Sequence, residues 1–156
     1  MSQDFNFETN CIHGTYRPKS SEPQVLPITQ STTYRYYECD DVAELFDLKS
    51  PNHMYSRLSN PTDTAVEGKM ALLEGGTAAV ATSSGQSATL TACLNICESG
   101  DHIICSTNVY GGTNNLLGVS FKKMGIETTF VSPDASKEEI LALARPNTKI
   151  LFAETL

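Results

Sequence analysis

Helix-like and strand-like segments alternate in this chain from Asn60 onward, and this alternation is the strongest constraint on its fold. The predicted helices run from Pro61 to Glu74, from Gln86 to about Cys97, from Gly111 to Lys123 and from Lys137 to Leu143. The predicted strands lie near residues 78–83, 102–105, 126–131 and 149–153. Repeated alternation at this spacing implies right-handed crossovers over a mostly parallel sheet. The sequence therefore predicts an α/β fold.

Local signals mark the ends of several of these helices. Val66, Met70 and Leu73 fall on one face of the first helix, and Gly75 is a typical stop after it. Ser136 is a good N-cap for the last helix. These signals depend only on neighbouring residues, so they predict boundaries without knowledge of the fold.

Residues 1–60 follow a different pattern. They hold four prolines and many polar residues, and only the segment near residues 41–46 has a helical period. Three tyrosines add aromatic area that so short a segment cannot bury alone: Tyr34, Tyr36 and Tyr37. We expect an extended arm that docks on a partner subunit.

Composition and charge exclude several classes of function. Eighteen acidic residues against eleven Lys and Arg give a net charge of −7, and no basic run could follow a phosphate backbone, so nucleic-acid binding is not expected. The N-terminal residues show no targeting pattern and no apolar stretch is long enough for a bilayer, which favours a cytoplasmic protein without membrane contact.

Neither the cysteines nor the histidines suggest a metal site. The five cysteines form no CxxC pair, and the three histidines are scattered. Cys93 and Cys97 stand four residues apart, as expected for small apolar side chains that pack on one helix face. We expect reduced thiols and no bound metal.

A candidate anion site lies where the predicted strand near 78–83 meets the next helix. Gly85 has no Cβ, so an anion can approach the backbone, and the N–H groups of Gly85 and Gln86 with the hydroxyls of Ser84 and Ser87 can donate to it. Tyr110 follows another predicted strand, and ligands of such sheets bind at the carboxyl ends of the strands. A Ser-Ser-Gly turn is also typical of a plain connector, so this motif alone leaves both interpretations open.

Other glycine-based motifs do not fit this segment. It is neither G-x-G-x-x-G nor a P-loop, so a nucleotide-binding domain is disfavoured. Thr89 stands where a G-x-S-x-G nucleophile elbow needs its second glycine.

Four segments in a fixed order carry a family resemblance: Tyr55-Ser56-Arg57 with Asn60-Pro61-Thr62, Leu73-Glu74-Gly75-Gly76, Ser83-Ser84-Gly85-Gln86-Ser87-Ala88 and Tyr110-Gly111-Gly112-Thr113. With this order and spacing the chain resembles the pyridoxal phosphate (PLP)-dependent enzymes of Cys/Met metabolism. The resemblance implies a type I PLP-dependent transferase (aminotransferase-like) fold. Residues 1–60 would be an N-terminal arm with intersubunit contacts, and residues 61–156 the first part of the PLP-binding domain, truncated at its C-terminal end.

The resemblance also implies roles for individual residues. Tyr55 and Arg57 would reach into the site of a neighbouring subunit and bind the phosphate of its PLP there. Ser84, Gly85 and Gln86 would bind the phosphate within their own subunit. Tyr110 would stack on the pyridine ring and exchange a proton with the substrate, which makes it the catalytic candidate. The shared site implies at least a dimer, and the resemblance to the family further implies a dimer of dimers, that is, a homotetramer.

Finer features indicate one branch of the family. Gln86 stands where many γ-lyases and γ-synthases carry Met, and Gly112 where methionine γ-lyase tends to carry Cys. The combination is most similar to O-acetylhomoserine sulfhydrylase, an enzyme of methionine biosynthesis that replaces acetate by sulfide or a thiol to give homocysteine or methionine. Methionine γ-lyase, cystathionine γ-synthase or γ-lyase, and a noncatalytic fragment that binds only a partner subunit or an anion remain alternatives.

No lysine of this chain matches the context in which the family binds its cofactor covalently. We therefore expect the chain to be an incomplete N-terminal portion that is inactive alone. Glu154 looks like the family's acid at the end of this strand, with a supporting role, although it is also interpretable as a plain strand-end carboxylate.

Overall fold

A computed structural model describes residues 5–155 of the chain and divides it into two compact units. The first unit ends at Ala81 and the second begins at Thr82, so the predicted helix after Asn60 groups with the N-terminal segment. The domain boundary at residue 60 stays a prediction. Among the described residues, no helix has the length and apolar character needed to cross a membrane.

The first unit contains helices α1 (Phe7–His13), α2 (Cys39–Phe46) and α3 (Pro61–Glu74). Helix α1 packs on α3 and is not among the predicted elements. Its carbonyl groups at Asn10 and Cys11 accept hydrogen bonds from Lys69 Nζ of α3 at 2.9 and 3.1 Å. Glu8 in the first turn and Gly14 as the C-cap are local signals for α1, but seven residues are too few for a sustained helical period, so the helix was not predicted.

Helix α3 begins and ends as its local signals predict. Asn60 is its N-cap, with Oδ1 accepting from the Thr62 N–H at 2.8 Å, and Pro61 occupies the first turn. Asn60 Nδ2 donates to the Thr29 carbonyl at 3.0 Å, which ties the arm to this helix. Gly75 ends the helix with a φ of 66°, the left-handed conformation that favours glycine.

The second unit is built on a parallel sheet of three strands, β1 (His102–Ser106), β2 (Glu127–Val131) and β3 (Thr148–Phe152). Their order is β2-β1-β3, so β1 is central and the first four of its residues are buried. Both neighbours pair with β1 in parallel. The predicted parallel α/β architecture is confirmed.

The described part of the second unit has three helical segments: α4 (Gly85–Leu94), a run composed of α5 (Gly111–Asn115), a π-helical turn (Leu116–Ser120) and α6 (Phe121–Lys123), and α7 (Lys137–Ala142). The buried core of the unit consists of Cys93, Cys97, Ile103, Cys105, Leu117, Phe121 and Ile126. Helix α4 ends three residues before the predicted Cys97, yet the Cys97 N–H still donates to the Cys93 carbonyl at 2.8 Å. The packing role predicted for both cysteines is confirmed.

The strand predicted near residues 78–83 does not form. This segment has no regular secondary structure and pairs with no strand of the described residues, and the Ala81 N–H donates instead to the Glu67 carboxylate at 2.8 Å. A strand exists only when a neighbour accepts and donates its backbone hydrogen bonds, and the small alanine side chains add little β preference. Ser84 and Gly85 consequently follow a loop rather than a strand.

A polar cluster lies at the amino-terminal end of the sheet. His102 is fully buried on β1, with Nδ1 2.7 Å from Thr148 Oγ1 on one side and Nε2 2.8 Å from Thr129 Oγ1 on the other. Burial lowers the pKa of His102, the nearby Arg145 lowers it further, and Glu127 opposes them. Each ring nitrogen of the neutral His102 imidazole thus has a hydrogen-bond partner, and the side chain links the three strands.

Candidate functional site

The first turn of α4 presents free backbone donors. Ser84 caps the helix: its Oγ accepts from the Ser87 N–H at 3.1 Å and donates to Ser87 Oγ at 3.0 Å. Within residues 5–155, the N–H groups of Gly85 and Gln86 have no protein acceptor. A Cβ on Gly85 would meet nothing within 4 Å, so the backbone there is open to a ligand. The helix N-terminus also favours negative charge.

Ser84 is less available to an anion than the sequence suggested. Its hydroxyl hydrogen points at Ser87 and its oxygen already caps the helix. The position of Ser84 beside the free donors fits the predicted site, but its side chain acts first on the helix. The sequence alone could not distinguish a serine that caps the helix from a serine that binds a ligand, because both roles use the same hydroxyl.

Tyr110 stands at the carboxyl end of the sheet, four residues after β1, where it is the N-cap of α5. Its backbone N–H donates to Glu154 Oε2 at 2.8 Å, and the residue is 67% exposed. Glu154 follows β3, so the ends of two neighbouring strands hold this tyrosine. The backbone of Tyr110 is therefore fixed while the ring stays accessible.

Thr113 connects Tyr110 to the start of α4. It is buried and its hydroxyl donates to Glu154 Oε1 at 3.1 Å. The Gln86 Nε2 group donates to the same hydroxyl at 3.4 Å. Two side-chain hydrogen bonds thus connect Gln86 to Glu154 through Thr113, and this connection is the Gln86–Thr113–Glu154 relay. It brings the predicted residues Ser84, Gly85, Gln86 and Tyr110 into one region.

Gly112 is needed where the Tyr110 ring passes close to the helix. A Cβ at this position would lie 2.5 Å from Tyr110 Cε1 and 3.2 Å from Gln86 Nε2. Atoms without a bond between them do not approach that closely. The second glycine of the Tyr-Gly-Gly-Thr motif thus leaves space for the tyrosine ring.

The electrostatics of this region keep the neighbouring thiol protonated. Burial, and then the negative charge of Glu154, raise the pKa of Cys105 to about 11. A thiol with so high a pKa carries almost no thiolate at neutral pH, so Cys105 is a packing residue and not a nucleophile.

Tyr55 and Arg57 lie on an exposed turn of the first unit. The Leu58 and Ser59 N–H groups both donate to the Tyr55 carbonyl, at 2.9 and 3.1 Å, and close the turn. The Arg57 guanidinium carbon lies 5.4 Å from the centre of the Tyr55 ring. An antiparallel bridge between Thr33 and Tyr55 attaches the turn to the arm. Arg57 is exposed, and Tyr55 is 36% exposed.

The predicted site residues are thus divided between the two units, four in the second and two in the first. Thr113 and the contacts of Glu154 are what the sequence interpretation missed. The available signal for Thr113 was its place as the last residue of the Tyr-Gly-Gly-Thr segment. Its partners lie 27 and 41 residues away, at Gln86 and Glu154.

Several characterised proteins are similar to this chain in sequence. It is 41% identical to O-acetyl-L-homoserine sulfhydrylase of Leptospira meyeri, with 100% of the chain and 35% of the relative covered. It is 38% identical to homocysteine synthase of Schizosaccharomyces pombe, with 97% of the chain and 35% of the relative covered. The chain therefore spans about a third of the length of these relatives.

Solved structures show the same relationship. An O-acetylhomoserine (thiol)-lyase from Campylobacter jejuni, solved with a pyridoxyl-lysine phosphate at its position 205, superposes with a TM-score of 0.86 at 34% identity. That match covers 96% of this chain and 37% of the other. Cystathionine γ-lyase from Lactobacillus plantarum gives a TM-score of 0.82 at 33% identity, with 97% and 37% covered. Residues 8–156 match the family of Cys/Met metabolism PLP-dependent enzymes, and the chain belongs to that family.

Proposed function

We propose that this chain is the N-terminal, cofactor-binding part of an O-acetylhomoserine sulfhydrylase. The proposal is supported by relatives of that name at 41% identity in two organisms, Leptospira meyeri and Corynebacterium glutamicum. The reaction is a γ-replacement: the bond between Cγ and the acetate oxygen breaks, a bond between Cγ and sulfur forms, and hydrogen sulfide plus O-acetylhomoserine give homocysteine plus acetic acid.

The observation that carries the proposal is the joint geometry of the α4 N-terminus and Tyr110. PLP has an anionic phosphate and a flat aromatic ring. The free N–H groups of Gly85 and Gln86 fit the phosphate, since no side chain fills the space at Gly85. The exposed ring of Tyr110 fits the aromatic ring, and the relay ties its backbone to Gln86.

When bound, PLP withdraws electrons from the substrate, so that Cα and then Cβ can release protons and the acetate can leave Cγ. This chain contributes binding and proton transfer. Gly85 and Gln86 donate backbone hydrogen bonds to the phosphate, with Ser84 as their cap. Tyr110 stacks on the ring, and its phenolic oxygen exchanges a proton with the substrate amine or the leaving group.

Tyr55 and Arg57 act on a second copy of the protein in this proposal. Both lie on an exposed turn, and a guanidinium matches a phosphate with two parallel hydrogen bonds. The proposal therefore includes a dimer with shared sites, arranged as a homotetramer in the cytoplasm. Arg57→Ala is expected to weaken PLP binding, and Arg57→Lys to restore it only in part because an ammonium lacks the planar fork.

A substrate panel tests the proposed activity. The protein that carries this chain is purified with PLP and supplied with sulfide plus O-acetyl-L-homoserine, with O-succinyl-L-homoserine, L-methionine and L-cystathionine as matched alternatives. We expect homocysteine to form fastest from O-acetyl-L-homoserine. Faster release of methanethiol from L-methionine would assign a methionine γ-lyase. Preference for cystathionine would assign a cystathionine γ-lyase, and preference for the succinyl ester a cystathionine γ-synthase. No turnover at all would favour a noncatalytic binding role.

A further inference from the structure

We propose that Glu154 and Thr113 are positioning residues for Tyr110 and that, through Gln86, they fix the spacing between Tyr110 and the first turn of α4. This inference rests on the proposed function, because it assigns to the relay the task of matching that spacing to PLP. The structure places all four residues within the second unit.

Glu154 supplies the cap that Tyr110 itself does not provide. Tyr110 is the N-cap of α5 but makes no capping hydrogen bond with its side chain. Its backbone N–H donates to a carboxylate at 2.8 Å, a charge-assisted bond that is stronger than one between neutral groups. Glu154 follows β3, which pairs with the central strand β1. The bond therefore ties the backbone of Tyr110 to the end of a strand that pairs with the central strand of the sheet.

Thr113 carries the connection from the sheet to α4. Its hydroxyl is buried, donates to Glu154 and accepts from the Gln86 side chain. One hydroxyl can perform both tasks because it has one hydrogen and two acceptor sites. Serine would retain both bonds, whereas valine has nearly the same shape and can form neither.

The relay thus joins the two places where PLP would be held. Gln86 uses its side chain for the relay and leaves its backbone N–H free for the phosphate. Tyr110 uses its backbone N–H for the relay and leaves its ring free for stacking. Because PLP is a rigid ring with a short phosphate arm, donors and aromatic platform must lie at one fixed separation to bind it together.

Thr113→Val and Thr113→Ser form a matched pair that tests the inference in the protein that carries this chain. Two quantities are measured for each variant: the dissociation constant of PLP from the holoprotein, and the circular dichroism of the bound PLP, which reports the orientation of its ring. Loss of the hydroxyl in Thr113→Val is expected to weaken PLP binding about three- to tenfold, the value of about one hydrogen bond, and to change the dichroic signal. Thr113→Ser is expected to behave like the parent.

Glu154→Gln gives a second readout that needs no cofactor. The amide keeps the size of the carboxylate but loses its charge. Amide hydrogen exchange of the peptide that contains Tyr110 is expected to become faster in this variant, while a peptide from β2 is unchanged. Mass spectrometry measures both peptides in the PLP-free protein, so a marginally folded variant would be recognised by faster exchange in β2 as well.

Equal affinity and equal dichroism in Thr113→Val and Thr113→Ser would overturn the inference, as would unchanged exchange at Tyr110 in Glu154→Gln. The proposed function fails separately, if the parent protein binds no PLP or converts none of the substrates in the panel. The exchange experiment would still decide whether Glu154 holds Tyr110 in that case.

Discussion

Gly112→Ala should weaken PLP binding and Gly111→Ala should not, although both place the same methyl group on consecutive residues of α5. A Cβ at Gly111 meets nothing within 4 Å, whereas a Cβ at Gly112 meets Tyr110 Cε1 at 2.5 Å. Neither glycine has a positive φ, so alanine is compatible with the backbone at both positions. The pair separates the effect of the methyl group on the helix from its effect on the Tyr110 ring.

The expected magnitudes follow from these contacts. Alanine in place of glycine stabilises a helix by up to about 0.8–1.0 kcal/mol, and less at its first residues. The exposed Tyr110 ring can rotate away from a methyl group on residue 112, so Gly112→Ala should change the free energy of unfolding by less than about 1 kcal/mol. A displaced ring no longer stacks on PLP, and stacking contributes about 0.5–1.5 kcal/mol. PLP affinity should therefore fall about twofold to tenfold in Gly112→Ala only.

Denaturant unfolding of the PLP-free protein and titration with PLP measure the two quantities. The reasoning predicts that Gly111→Ala binds PLP like the parent and is as stable or slightly more stable. It would be refuted if both variants bound PLP equally well, or if Gly111→Ala were the one that lost affinity.

Three further predictions concern the second unit and the thiols. The free energy of unfolding should decrease as the pH falls below 6.5, the ordinary pKa of histidine, because buried His102 has a lowered pKa in the folded protein and the unfolded chain binds the proton first. Denaturant unfolding measures this dependence, and His102→Gln should flatten it. An identical slope in the variant would exclude His102 as its source. Phe121→Ala removes a fully buried ring and should cost about 3–5 kcal/mol in the same assay, so a loss below about 1 kcal/mol would contradict its place in the core. Iodoacetamide at neutral pH should modify exposed Cys11 and Cys39 but spare Cys105, whose pKa is raised to about 11. Mass mapping of the labelled native protein measures this, and modification of Cys105 with Cys11 and Cys39 spared would contradict it.

The sequence predicted those parts of the fold that depend on neighbouring residues. Helix α3 begins at Pro61 and stops at Gly75 as predicted, and α7 begins after its predicted N-cap Ser136. The buried strand β1 follows from an unbroken apolar run. Each of these signals acts within a few residues, so a single sequence contains it.

The features that the sequence did not predict depend on distant partners. Helix α1 is too short for a sustained helical period and accepts hydrogen bonds from distant Lys69, and the segment 78–83 stays outside the sheet because no neighbour pairs with it. The same holds for the candidate site: Ser84, Gly85, Gln86 and Tyr110 carry motif signals. The relay through Thr113 and Glu154, in contrast, joins three separate segments. Only the fold brings those segments together.

A crystal structure of the protein that carries this chain, with PLP bound, would test the proposed cofactor site directly. We expect phosphate oxygens about 3 Å from the backbone nitrogens of Gly85 and Gln86, with the pyridine ring stacked on Tyr110. A phosphate bound elsewhere, or a pyridine ring that makes no contact with Tyr110, would contradict it.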